Sequence, residues 1–147
     1  MTELYHAGIT VGDLDRSVAF YRDVVGMTEA LPRTEAGGQW MDRLKGYSGA
    51  RVRVAHLTLG GFMLQLVQYV SGGGGKLVLG HHHVGNPHLS IYVDDVDRKR
   101  EEIRSKGAGP TGPIVTIGTT GRRSFYTADP DGVPVEFMEK DAIGGSP

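Results

Sequence analysis

The chain has 147 residues, enough for one compact domain or for two half-domains sharing a core. Its net charge of -1 gives no general attraction to nucleic acid or to an anionic membrane. It has no cysteine, which excludes disulfides, thiolate zinc sites and cysteine nucleophiles together, so any metal must be held by imidazole, carboxylate or amide. Met1 to Tyr5 shows no basic segment followed by an apolar run, and no stretch is long enough to cross a bilayer. A cytoplasmic protein is the expectation.

Leu4 to Val11 alternates, with Ala7, Ile9 and Val11 on one face and His6, Gly8 and Thr10 on the other, which predicts a strand. Asp13 or Asp15 then caps a helix whose apolar stripe is Val18, Tyr21, Val24 and Val25, and Gly26 ends it. A short strand around Thr28 to Leu31 precedes a loop holding Gly37, Gly38 and the only tryptophan, Trp40. Arg51 to Leu59 and Phe62 to Tyr69 form a hairpin around Gly60 and Gly61. In its second strand, Leu64 and Leu66 oppose Met63, Gln65, Val67 and Tyr69. Val70 to Pro87, with its glycine run and His81 to His83, reads as a linker.

The segment His88 to Arg98 repeats His6 to Arg16. His6/His88, Ile9/Ile91, Val11/Val93, Asp13/Asp95, Asp15/Asp97 and Arg16/Arg98 are identical pairs. Leu89, Ile91 and Val93 oppose His88, Ser90 and Tyr92, and a charged helix runs from about Asp95 to Lys106 until Gly107. Pro110 to Ile117 gives an irregular strand. Arg122 to Ala128 and Val133 to Glu139 make a second hairpin through the Asp129–Gly132 turn, and Ala142 to Pro147 are expected to fray.

The plan is therefore α+β, with two tandem βαβββ modules at 1–70 and 87–140, a linker at 71–86 and a tail at 141–147. Each module has one sheet face covered by its helix. The two uncovered faces, curved by strand twist, would form an open mixed sheet, a half-barrel around a metal-binding cleft.

The first and last strands of the modules offer His6, Gln65, His88 and Glu136 to that cleft. Gln65 and Glu136 occupy matching places, each between two outward-pointing apolar residues. Two imidazoles, a carboxylate and an amide oxygen suit a divalent cation. Tyr126 shares the parity of Arg122 and Ser124, so it is either a proton donor or a lining hydroxyl. Arg51, Arg53 and Arg122 either bind an anionic group of a substrate or sit solvated at the rim. Trp40 and Met41 form a lid over the substrate or plug the core edge. His56 reads as a surface or interface residue, and His81 to His83 as a flexible loop near the cleft mouth.

These features carry a resemblance. The paired His-x-x-Ile-x-Val-x-Asp-x-Asp starts, the segment Phe20 to Gly26, Leu64 to Leu66, and the run Phe125 to Glu136 resemble the vicinal oxygen chelate superfamily. That group includes glyoxalases, methylmalonyl-CoA epimerases, extradiol dioxygenases, fosfomycin-resistance enzymes and bleomycin-binding proteins. By this resemblance His6, Gln65, His88 and Glu136 match the four metal-ligand positions, in a set similar to that of the CoA-thioester epimerases. The glutamate base of those epimerases has no counterpart, since no acid lies between Gly46 and Leu64. The resemblance implies one divalent ion (Zn, Mn, Co, Ni or Fe(II)) and a small substrate with two neighbouring oxygens. It also implies isomerase, epimerase or lyase chemistry through a metal-stabilised enolate, with Glu136 as ligand or base, and a homodimer. A drug-binding protein without turnover and an extradiol-type dioxygenase are the alternatives it leaves.

Overall fold

The computed structural model describes residues 1–78 and 80–140. The expected tail at 141–147 and residue 79 of the expected linker lie outside the described residues. The chain divides into two compact units, Met1–Leu77 and Val78–Pro147.

In the first unit the elements are β1 (Ala7–Thr10), α1 (Leu14–Phe20), β2 (Thr28–Gly37), α2 (Gln39–Lys45), β3 (Arg51–Leu59) and β4 (Phe62–Ser71). The sheet order is β1-β4-β3-β2, with β1 parallel to β4 and the other pairs antiparallel. The second unit has β5 (Leu89–Val93), α3 (Val96–Ser105), β6 (Val115–Thr116), β7 (Arg123–Ala128) and β8 (Pro134–Glu139), in the same arrangement, β5-β8-β7-β6. Both sheets are open and mixed, so the α+β class and the duplicated strand–helix–three-strand plan are observed.

The duplicated sequence produces duplicated local physics. Asp13 and Asp95 both have extended backbones, and each carboxylate accepts from the N–H of the third residue on, Arg16 and Arg98, at 3.0 and 2.9 Å. Helix α1 buries Leu14, Val18 and Phe20, then widens into one π-helical stretch, Tyr21–Val25, that buries Tyr21, Val24 and Val25. It packs on β3 and β4, where Leu57, Leu64 and Leu66 are fully buried. Helix α3 buries Val96 and Ile103 against Phe125, Val135 and Phe137 of β7 and β8.

Gly26 stops the first helix because its φ of 92° is left-handed, and its N–H donates to the Tyr21 carbonyl. A Cβ placed there would meet nothing within 4 Å among the described residues, so the resistance to substitution comes from the backbone. Gly26→Ala should therefore cost about 1–2 kcal/mol, the penalty of placing an L-residue in that conformation. It would be read as a lower urea midpoint at unchanged m.

Three elements differ from the sequence expectation. Strand β2 is longer than Thr28 to Leu31, continuing to Gly37 through two register shifts that straddle Leu31. It is an edge strand, which is where Pro32 can sit without breaking a ladder. The expected loop around Trp40 contains helix α2, started at Gly38 without a side-chain cap and closed by left-handed Gly46. Asp42 on this helix accepts the Ala50 N–H at 2.9 Å, tying it to the start of β3. Strand β6 shrinks to two residues beside Pro110 and Pro113, which have no N–H to give.

Candidate functional site

Residues paired across a sheet share a face, so the register decides which side chains meet. In the first unit Gly8 pairs with Gln65, and Gln65 with His56. In the second unit Ser90 pairs with Glu136, and Glu136 with Tyr126. Gly8 and Ser90 each lie two residues after the histidine that opens the repeat. The two units thus carry equivalent trios: His6, Gln65 and His56 in one, His88, Glu136 and Tyr126 in the other.

Contacts within each trio follow that register. The His6 and His56 rings lie 5.8 Å apart edge-on, and Gln65 Nε2 is 3.0 Å from His56 Nε2. Tyr5 completes the aromatic group, 4.9 Å from the His6 ring and 6.3 Å from that of His56. Burial, then the neighbouring His6, lowers the pKa of His56 below the ordinary imidazole value. In the second unit the His88 and Tyr126 rings are 6.0 Å apart. Glu136 is only 8% exposed, and its Oε1 accepts from the Ser124 hydroxyl at 2.6 Å. Burial first, then the charge of Glu136 and a hydrogen bond to it, raise the Tyr126 phenol above its usual pKa. A phenol so placed keeps its proton at neutral pH.

His81 belongs with this trio. Its ring packs edge-on against Tyr126 at 4.8 Å, in a loop where Gly80 N–H donates to His83 Nδ1 and the Asn86 amide donates to the Gly80 carbonyl. The loop is internally bonded, with one histidine on the candidate proton donor.

The arginines separate. Arg122, immediately before β7, donates to the Tyr92 hydroxyl at 2.8 Å and lies 5.3 Å from the centre of that ring. Tyr92 pairs with Met138, on the face that carries Glu136. Arg53 has the opposite parity to His56. It reaches Asp15 Oδ2 of α1 at 3.2 Å, which puts it on the helix-covered side, away from Gln65. Its structural counterpart is Arg123, which donates to Asp97 of α3 at 2.6 Å and to Glu139. Arg53 and Arg123 each bind the first turn of the helix above their sheet, so the sequence parallel of Arg51 and Arg53 with Arg122 is corrected. Arg51, its side chain 66% exposed at the start of β3, lies 3.7 Å from Glu35.

Met41 and Trp40 also part, being adjacent on a helix and so about 100° apart around it. Met41 is buried with Ala50, Val52, Val54 and Val67, whereas Trp40 is 57% exposed. Met41 is the plug, and Trp40 faces outward from that core.

The residue that sequence reasoning misplaced is His56. A signal existed, because a two-residue Gly60-Gly61 turn pairing Leu59 with Phe62 leaves His56 opposite Gln65. Among the described residues, no three His, Cys, Asp or Glu side chains are grouped so as to hold a metal ion. No helix among them is long and apolar enough to cross a membrane.

Comparison with known proteins agrees with this duplicated architecture. The family model described as the Glyoxalase/Bleomycin resistance protein/Dioxygenase superfamily matches residues 3–137. A 2-epi-5-epi-valiolone epimerase from Actinomyces is 33% identical over 146 residues, covering 95% of this chain and 80% of that protein. A lactoylglutathione lyase from Haemophilus influenzae is 30% identical over 146 residues, covering 93% and 92%. The crystal structure of a glyoxalase family protein from Bacillus cereus superposes with a TM-score of 0.79 at 19% identity, covering 97% and 96%. The chain belongs to the glyoxalase/bleomycin resistance protein/dioxygenase superfamily.

Proposed function

We propose that the protein is a divalent-metal-dependent enzyme whose ion is held by His6, Gln65, His88 and Glu136. Its substrate would be a small molecule with two neighbouring oxygens, converted by isomerisation, epimerisation or lyase chemistry through an enolate. The observation that carries this reading is the repetition of the donor pair: a histidine two residues before the partner of Gln65, and another two residues before the partner of Glu136. The donors fit the group. Among the described residues His6 Nδ1 is buried without a hydrogen-bond partner, and the set combines nitrogen and oxygen donors with one negative charge. Relatives named as an epimerase and as lactoylglutathione lyases support enolate-forming chemistry over oxygen activation.

When bound, the ion would polarise a substrate carbonyl and offset charge developing on its oxygen. The chain's own residues do the rest. Ser124 fixes one carboxylate oxygen of Glu136, leaving the other for a ligand or a proton. Tyr126, kept protonated by burial and by Glu136, stands as proton donor beside that carboxylate. Arg122, braced on Tyr92, presents a cation on the same sheet face, suited to a carboxylate or phosphate on the substrate.

Elemental analysis of protein purified without a metal-binding tag should find about one divalent ion per chain, the four-donor stoichiometry of a single site. With metal supplied, the protein should exchange the α-proton of a 2-hydroxy ketone for solvent deuterium in the absence of oxygen. A metal-free preparation that binds ligands unchanged would instead mark a carrier, and oxygen uptake with a catechol and Fe(II) would mark a dioxygenase.

A further inference from the structure

Gln65 is the least committed of the four donors, because an amide can turn either its oxygen or its nitrogen toward an ion. Its surroundings are not symmetric. On the β3 side, Nε2 lies 3.0 Å from His56 Nε2. On the β1 side, Oε1 lies 3.8 Å from where a Cβ on Gly8 would stand, the strand that His6 opens. An imidazole nitrogen with a free lone pair accepts an amide N–H and gives nothing to an amide oxygen.

We propose that His56 is a positioning residue: with its proton on Nδ1, its Nε2 accepts from the Gln65 amide and so holds Gln65 Oε1 toward the His6 side as a metal donor. This inference rests on the four-donor reading above and deepens it. The matching place in the second unit is Tyr126, opposite Glu136 and beside His88. A carboxylate has two acceptor oxygens and takes a hydroxyl as its neighbour. An amide has a donor end to hide, and takes an unprotonated imidazole nitrogen. The pairing of His56 with Gln65 and of Tyr126 with Glu136 therefore follows the chemistry of each donor.

The test is titration of the chelator-stripped protein with Zn²⁺ alone, followed by calorimetry. His56→Phe, which keeps a ring and removes the acceptor, should weaken binding by about 10–100-fold, the usual effect of losing an outer partner of a ligand. His56→Gln, which restores a carbonyl acceptor, should recover most of it. In a Gln65→Ala background, His56→Phe should cost nothing further, since the two act as one unit. Nitrogen-15 NMR of the metal-free protein should show the His56 proton on Nδ1.

Wild-type affinity in His56→Phe, an equal loss in the Gln65→Ala background, or a proton on His56 Nε2 would each overturn the positioning role. If Gln65→Ala and Glu136→Ala both bind Zn²⁺ like wild type, the four-donor reading itself fails, and this inference with it. Neither of those variants touches His56, so the two failures are separable.

Discussion

Glu136→Gln should leave the chain folded and strip it of both metal and turnover. Glu136 is the only anionic member of the proposed donor set, so the amide would remove all ligand charge facing a divalent ion. It also removes the carboxylate that the proposed mechanism uses to take or return a substrate proton. Loss of a general base costs about 10²–10⁴-fold, and loss of the metal's electrostatic stabilisation about as much again. Turnover should therefore fall by about 10³-fold or more, and bound metal should drop well below one per chain. Stability gives the internal control. The carboxylate is 8% exposed and accepts from Ser124, which a glutamine oxygen can also do. Burying a neutral amide instead of a charge lowers the desolvation cost, so Tm of the metal-free variant should hold or rise. A variant that keeps its metal and its rate would end the assignment of Glu136.

Phe137→Ala should cost about 3–5 kcal/mol, a large part of the whole stability of a domain this size. Phe137 is fully buried, on the opposite face of β8 from Glu136. Its ring lies 5.5 Å from that of Phe125, nearly parallel, and the Lys99 ammonium of α3 is 5.3 Å from its centre. Truncation would leave a ring-sized void beneath α3 that Ile103 and Val96 cannot fill without moving the helix. Urea denaturation should show the loss as a lower midpoint. Because Glu136 is the next residue, metal affinity should fall as well, through the register of β8. Near-wild-type stability would mean that α3 collapses onto the sheet and that this core is more plastic than its packing indicates.

Much of the architecture could be read directly. Alternation in the two opening strands, the stripe of α1 and the Gly60-Gly61 turn are patterns of neighbouring residues, and each appears in the structure where expected. Asp13 and Asp95 are caps for the same reason, since a cap needs only the next three residues. Strand β2 was legible only in part. Residues Glu29 to Glu35 do not alternate, and the strand persists because β3 supplies its partners and because Arg33 binds Glu29 at 2.8 Å. Helix α2 was not legible, since one buried residue, Met41, and one link from Asp42 to Ala50 hold it, with no amphipathic stripe to announce it.

The candidate site divides along the same line. His6 and His88 stand out because each opens a copy of the repeat, and Gln65 and Glu136 because each sits between two apolar residues in the last strand of its module. The neighbours that give those residues chemistry do not follow. His56 reaches Gln65, Ser124 reaches Glu136, and Arg53 turns to Asp15 only once strands from separate stretches of chain settle into register. A shift of one residue in that register would reverse every one of these assignments. Local pattern fixes which residues alternate, and hydrogen bonding between strands fixes which alternate set meets the helix and which lies on the other face of the sheet.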